Sequence, residues 1–519
     1  MQGVVIGLTA GALALALGYG EAARPAAVEG VVAGAQTAED ARLAREVLEA
    51  ARGGPAVLCA LAQEAVLSRH GGWGMRSVPG VVTDSAGAAR WALTERPSDA
   101  ALPVLLEGLE DADPCVRGVA ARVVAHAEEA AVTPGLLRVL GASSPSARAA
   151  AAVALGLADA ERAVTALIER LGDDVAEVRA SVAWALGALD DASAAVPLRR
   201  VLGDRDPSVR GAAALALGSL QDTGVVRALV QLLRSDPDQS VRLAAATALG
   251  RLEDREGVPA LGAALGERSA ELRRAAAWAL GQIEDAGAVP HLARVLNDRD
   301  DEVREMAVWA LGEIEDREAV GPLARVLRED DSPQIRRQAA WALGQIEDRG
   351  AVEPLAAALR SDRDPSVRRM AVWALGQIED AGAVPALTEV LRDTSAAVRS
   401  MALWALGEVE SASAVDAIVR ALGDESPSVR VRAAWALGQI ESGSAVEGLR
   451  SALRDANGQV RRMSLWALSQ IETQAALEAI AEAVRDADPE VRGAAVRALG
   501  RGPNPMPMPM PMPMPRPFP

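Results

Sequence analysis

The chain has 519 residues, 54 basic and 71 acidic side chains, and a formal net charge of −17. Every basic residue is Arg, which excludes phosphate-loop and Schiff-base lysine chemistry, and the acidic balance opposes a nucleic-acid partner, which needs clustered positive charge. Half of the residues are apolar, yet with one Tyr (Tyr19) and one Phe (Phe518) the core must be built from Ala, Leu, Val and Ile, a composition suited to closely packed helices.

Residues 1–20 contain an apolar run, Val4 to Leu17, as long as a signal-peptide core but without a basic flank. It reads as a signal or anchor, so export to the cell envelope and a cytoplasmic location stand side by side. Residues 21–82 hold helix-like blocks (Ala38 to Ala51, Pro55 to Ser68) and a Gly-rich stretch, His70 to Gly74. They read as a helical cap over the first of a series of repeats. The three His (His70, His126, His291) have no metal-site spacing, and Cys59 and Cys115 fit neither a metal cluster nor a disulfide framework. No metal and no cofactor is expected.

Residues 83–502 are periodic. The tripeptide ALG, or a variant of it, ends at residues 125, 156, 187, 218, 250, 281, 312, 344, 376, 407, 438, 469 and 500, in steps of 31 or 32. Eight residues earlier stands an Arg in all thirteen units, from Arg117 through Arg304 to Arg492; six residues before each Arg stands an acid in twelve, Ala142 being the exception. In one unit, Val320, Leu323 and Leu327 form the apolar face of a short first helix, and Ser332-Pro333 starts a second by supplying a cap and a first-turn proline. Ile335, Ala339, Leu343 and Ile346 then line the face turned toward the first helix. Asp113-Pro114, Asp206-Pro207, Asp364-Pro365, Ser426-Pro427 and Asp488-Pro489 repeat the start signal.

This pattern resembles HEAT repeats, in particular the phycobilisome-lyase HEAT-like subtype and the designed alpha-repeat scaffolds similar to it. The resemblance implies an all-α chain, a right-handed α-solenoid of about 13 helix pairs, in which the turn acid and the helix Arg form a ladder between successive repeats. The expected organisation is therefore segment 1–20, cap 21–82, solenoid 83–502 and tail 503–519.

On the second helix, the positions one, five and nine after the ladder Arg form a stripe opposite the buried face. It reads Arg274-Trp278-Gln282, Glu305-Trp309-Glu313, Arg337-Trp341-Gln345, Arg369-Trp373-Gln377, Ser400-Trp404-Glu408, Val431-Trp435-Gln439 and Arg462-Trp466-Gln470. Trp184 and Trp91 occupy the same column earlier, whereas Leu215 and Thr247 interrupt it. The resemblance places these positions on the concave surface. Flat indoles beside Arg and Gln suit a protein or an extended peptide; the competing reading is that the indoles tile over one another and shield an Ala-rich core.

The tail, Pro503 to Pro519, alternates Pro with Met and is excluded from helix and central strand. It is polyproline-like and of a kind that Trp-lined grooves bind, so the chain's own tail is one expected occupant of the stripe. The function expected from these features is a non-catalytic interaction scaffold, not an enzyme. The alternatives are a bilin-lyase-like subunit, implied by the resemblance alone, and a HEAT-like DNA glycosylase, which the nearly neutral stripe disfavours.

Overall fold

The computed structural model describes residues 40–52 and 96–501, and helices are the only regular elements among them. The apolar run 4–17, Cys59, Trp91 and the tail 503–519 lie outside the described residues. The chain divides after Gly257 into two compact units, and the described part of each is an α-solenoid of stacked helix pairs.

The unit beginning at Val258 shows how one repeat is made. A 3-10 turn at Arg317–Ala319 leads into a first helix, Val320–Glu329, and a turn into a second, Pro333–Ile346. Val320, Leu323, Leu327, Ile335, Ala339 and Leu343 are buried, whereas Ile346, in the final turn, is only half-buried. The start signals act as caps: the Asp364 carboxylate accepts from the Ser366 N–H at 2.7 Å, and the Ser332 hydroxyl accepts from the Ile335 N–H at 3.5 Å. Each such cap stabilises its helix by roughly 1 kcal/mol. Ser426 departs from this, because its hydroxyl pairs with that of Ser428 and leaves the helix N–H groups uncapped.

What joins repeat to repeat is the Arg–Asp ladder. Within residues 96–257, Arg148, Arg179 and Arg210 each hold the Asp of the following repeat, Asp173, Asp204 and Asp236, through paired N–H groups at 2.7–2.8 Å. From Val258 onward the same pairing links Arg273 to Asp298, Arg304 to Asp330, Arg336 to Asp362, Arg368 to Asp393, Arg399 to Asp424, Arg430 to Asp455 and Arg461 to Asp486. The third nitrogen of the guanidinium turns back to its own turn, Arg179 Nη1 donating to the Asp173 carbonyl at 2.8 Å. The carboxylate in turn accepts the N–H two residues on, as Asp204 does from Asp206 at 2.9 Å. Every ladder step thus fixes two turns and one interface at once, with charge-assisted, fork-shaped geometry.

The first described helix, residues 40–52, contributes to this scheme. Its Arg52 pairs with Asp111, the first acid of the ladder column, and its Leu48 packs over Gly108. At the following step the acid column holds Ala142, and Arg117 donates only to its own turn, to the Asp111 and Ala112 carbonyls. Cys115 is disulfide-bonded, a point that the sequence left open.

The second helices from Pro145–Leu157 to Gly458–Ile471 are each followed by a non-Gly residue in the left-handed region: Asp159, Asp190, Gln221, Glu253, Glu284, Glu315, Glu347, Glu379, Glu410, Glu441 and Glu472, with φ between 47° and 57°. Glycine normally fills this place, and another residue there costs on the order of 1 kcal/mol.

The hydrogen bond from the Arg148 side chain holds Asp173 below the ordinary carboxylate range, and Arg179 and Arg210 do the same for Asp204 and Asp236. A depressed carboxyl pKa contributes stability that is present above its unfolded value of about 4 and is lost as pH falls through the folded value. Acid unfolding followed by circular dichroism should therefore begin below about pH 4. Asp204→Ala, which strands the buried Arg179, should lower unfolding free energy at pH 7 by about 3 kcal/mol in chemical denaturation. It should also flatten the acid limb of that profile.

Candidate functional site

The stripe residues all lie on the second helices of the unit that begins at Val258. The Arg and Gln members, Arg274, Arg337, Arg369, Arg462, Gln282, Gln345, Gln377, Gln439 and Gln470, are half-buried. The indoles are less open than a projection of one isolated helix implies. Trp341, Trp404, Trp435 and Trp466 are buried, while Trp278, Trp309 and Trp373 are half-buried.

The cause is the glycine that closes each ALG tripeptide. A methyl group placed on Gly281 would lie 2.7 Å from Cζ3 of Trp309 and 3.0 Å from Cα of Ala310. Gly312 stands in the same relation to Trp341, Gly344 to Trp373, Gly376 to Trp404, Gly407 to Trp435 and Gly438 to Trp466. Each indole therefore lies over the glycine of the preceding repeat, and only glycine leaves room for it. In the first unit Trp184 over Gly156 repeats the arrangement, whereas at Gly187 and Gly218 the approach is made by the Ala216 and Ala248 backbones. The indoles are thus part of the interface between repeats, and their flat faces are largely used there.

The polar members of the stripe are not equivalent. Arg274 pairs with Glu302, and Arg462 with Glu490, each an acid of the following repeat. Between them, Arg369 has a buried Nε with no hydrogen-bond partner, and Gln338 is 1% exposed with neither amide atom bonded. The Nε1 of Trp466 is buried and unpartnered as well. Burial raises the carboxyl pKa of Glu305, opposed by Arg337. It raises that of Glu408 too, helped by repulsion from Glu379 and opposed by the Trp404 indole N–H, which bonds the Glu408 side chain.

Sequence columns missed two of these residues. The position two after the ladder Arg holds Met306, Met370, Met401 and Met463, but Gln338 and Arg432 interrupt it. Arg432 lies 5.4 Å from the ring centre of Trp435, within cation–π range. The polar interruptions of a Met column were the available signal.

No group of His, Cys, Asp or Glu among the described residues is arranged to hold a metal ion, and no described helix is long and apolar enough to cross a membrane.

Overlapping matches to HEAT repeats run from residue 102 to residue 505, most of the chain. The chain belongs to the HEAT-repeat family. No curated protein matches it. Among solved structures, importin β is similar at 15% identity over 95% of this chain and 82% of its own, with a TM-score of 0.50. An engineered protein is similar at 24% identity over 70% of this chain and 97% of its own, TM-score 0.36. Human deoxyhypusine hydroxylase is similar at 28% identity over 49% and 99%, TM-score 0.23. These likenesses concern the fold.

Three outcomes follow for this HEAT-repeat chain. Gly344→Ala forces a methyl group to 2.7 Å from Trp373 and 2.9 Å from the Ala374 backbone. It should cost about 1–3 kcal/mol in chemical denaturation. Gly500→Ala meets nothing within 4 Å and should raise stability by about 0.5–1 kcal/mol. Glu408→Gln removes a carboxylate that the fold disfavours. A raised pKa penalises folding above the folded value and ceases to do so below the unfolded one. Its melting temperature should therefore exceed the parent's at pH 8 and match it at pH 3.

Proposed function

We propose that this HEAT-repeat chain is a non-catalytic scaffold that binds a protein or an extended peptide along the Arg-Trp-Gln stripe, on the concave side of the unit beginning at Val258. The observation that carries the reading is the unsatisfied polarity of that stripe. Buried polar groups normally find partners within their own chain, and the Arg369 Nε and the Trp466 indole N–H do not, nor does the amide of Gln338 in the column beside the stripe. Half-buried Arg and Gln heads recur around them once per repeat, held by indoles packed on glycine. Rigidly placed Arg and Trp are the residues that dominate interface energetics. No cofactor, metal or nucleic acid belongs to this reading. The Glu305 and Glu313 side chains offset the stripe's guanidinium groups, and the acidic chain repels phosphate.

The test must spare the Trp–Gly packing, so it uses Arg337→Glu and Arg369→Glu. Affinity capture with the parent chain identifies a protein partner, whose dissociation constant is then measured against parent and variants. Each substitution should weaken binding by about 2 kcal/mol, roughly 30-fold, with circular dichroism confirming that each variant is folded. Equal binding by parent and variants would move the partner off the stripe. In the same preparations a bilin pigment should produce no new absorbance band and labelled duplex DNA no shifted species at low salt; a positive result in either would replace the scaffold reading.

A further inference from the structure

The last repeat in the sequence keeps the apolar face on which every other repeat receives a successor. In the preceding repeats, the position four after the ladder Arg is covered: Val308, Val372 and Leu403 are 0% exposed and Leu465 is 1%. The equivalent Val496 is 56% exposed. The Leu of the ALG tripeptide is likewise closed off at Leu311, Leu343, Leu375, Leu406, Leu437 and Leu468, whereas Leu499 is 43% exposed. Gly500 has open space where Gly438 meets Trp466, and Arg492 donates only to its own turn, to the Asp486 and Ala487 carbonyls. A repeat array usually ends on a polar face; here the Trp column has become Arg497 but Val and Leu remain.

We infer that residues 503–519 dock on this face of helix 489–501 and cap the array in cis. Three features select the tail over a second copy. The patch of Val496, Leu499 and Gly500 is far smaller than the roughly 800 Å² per partner that a stable dimer buries. The tail starts directly after the helix that carries the patch, so its effective concentration is on the order of millimolar, and at about 3 Å per residue Met506 to Met510 reach back over the last two helical turns. Its chemistry also fits. Proline at every second position removes the backbone N–H donors that an apolar surface cannot satisfy. The methionines between them fill irregular apolar ground.

Methionine oxidation by dilute peroxide reports the docking, because the rate follows exposure of the thioether. Peptide mass spectrometry of the full chain gives the rates at Met506, Met508 and Met510, with a synthetic peptide of residues 502–519 as the free reference and light scattering to establish the oligomeric state. The expected result is a monomer in which these methionines oxidise about tenfold more slowly than in the peptide, as for a segment docked nine-tenths of the time. Val496→Glu and, separately, Leu499→Glu should restore the free rate, with circular dichroism confirming that each variant is folded. Free-peptide rates in the parent chain overturn the inference. So does protection that survives both substitutions, which would place the tail elsewhere, such as on the stripe. Protection seen only at concentrations where dimers form would assign the face to a second copy.

Discussion

A guanidinium that holds a carboxylate of the next repeat with two nitrogens and a carbonyl of its own turn with the third is the contact on which the stacking rests. Hydrophobic burial alone would let one Ala-rich layer slide or rotate on the next, because small side chains offer little relief to lock into. The fork geometry of Arg removes that freedom, and Lys, absent from the sequence, could not replace it, since a compact ammonium has no planar pair of donors. The helix of residues 40–52 supplies Arg52 to Asp111, the first acid of the column, and so extends the rule beyond the repeats themselves.

The second constraint is the pairing of large and small across the interface in the unit beginning at Val258. An indole on one repeat requires a glycine on the one before, so the ALG glycine is an imprint of its neighbour. This makes the candidate surface a by-product of stability: the Trp side chains that stiffen the stack also hold the Arg and Gln heads beside them in fixed positions. The surface can diverge at the polar positions, as Ser400, Val431 and Glu305 already do, without disturbing what holds the repeats together.

Much of this was legible in the sequence because the determining contacts recur at fixed spacing. The Arg column, the acid column and the Pro-containing caps other than Ser426 found their expected structural role. The burial of Trp341, Trp404, Trp435 and Trp466 stood in the sequence only as one of two readings, because a helical projection carries no information about the layer stacked against it. The choice of Gln338 and Arg432 as polar members of an otherwise Met column was not legible, since a single interruption looks like substitution noise until its surroundings are seen. The Cys115 disulfide escaped for a related reason, as two cysteines far apart in sequence specify no geometry. The left-handed acids at the helix ends were hidden by convention: a search for glycine at that position passes over Glu and Asp.

Each repeat presents different chemistry on its two sides. Toward its successor it offers a guanidinium, a glycine bed and an apolar rim; toward its predecessor it offers a carboxylate and, in most of the later repeats, an indole. The stack therefore has polarity in the sense that a filament does, with unlike ends that cannot be exchanged. Gene-level slippage that removes or duplicates one whole period within a unit rejoins a matching pair of sides and leaves no wound. A break at any other phase joins like to like.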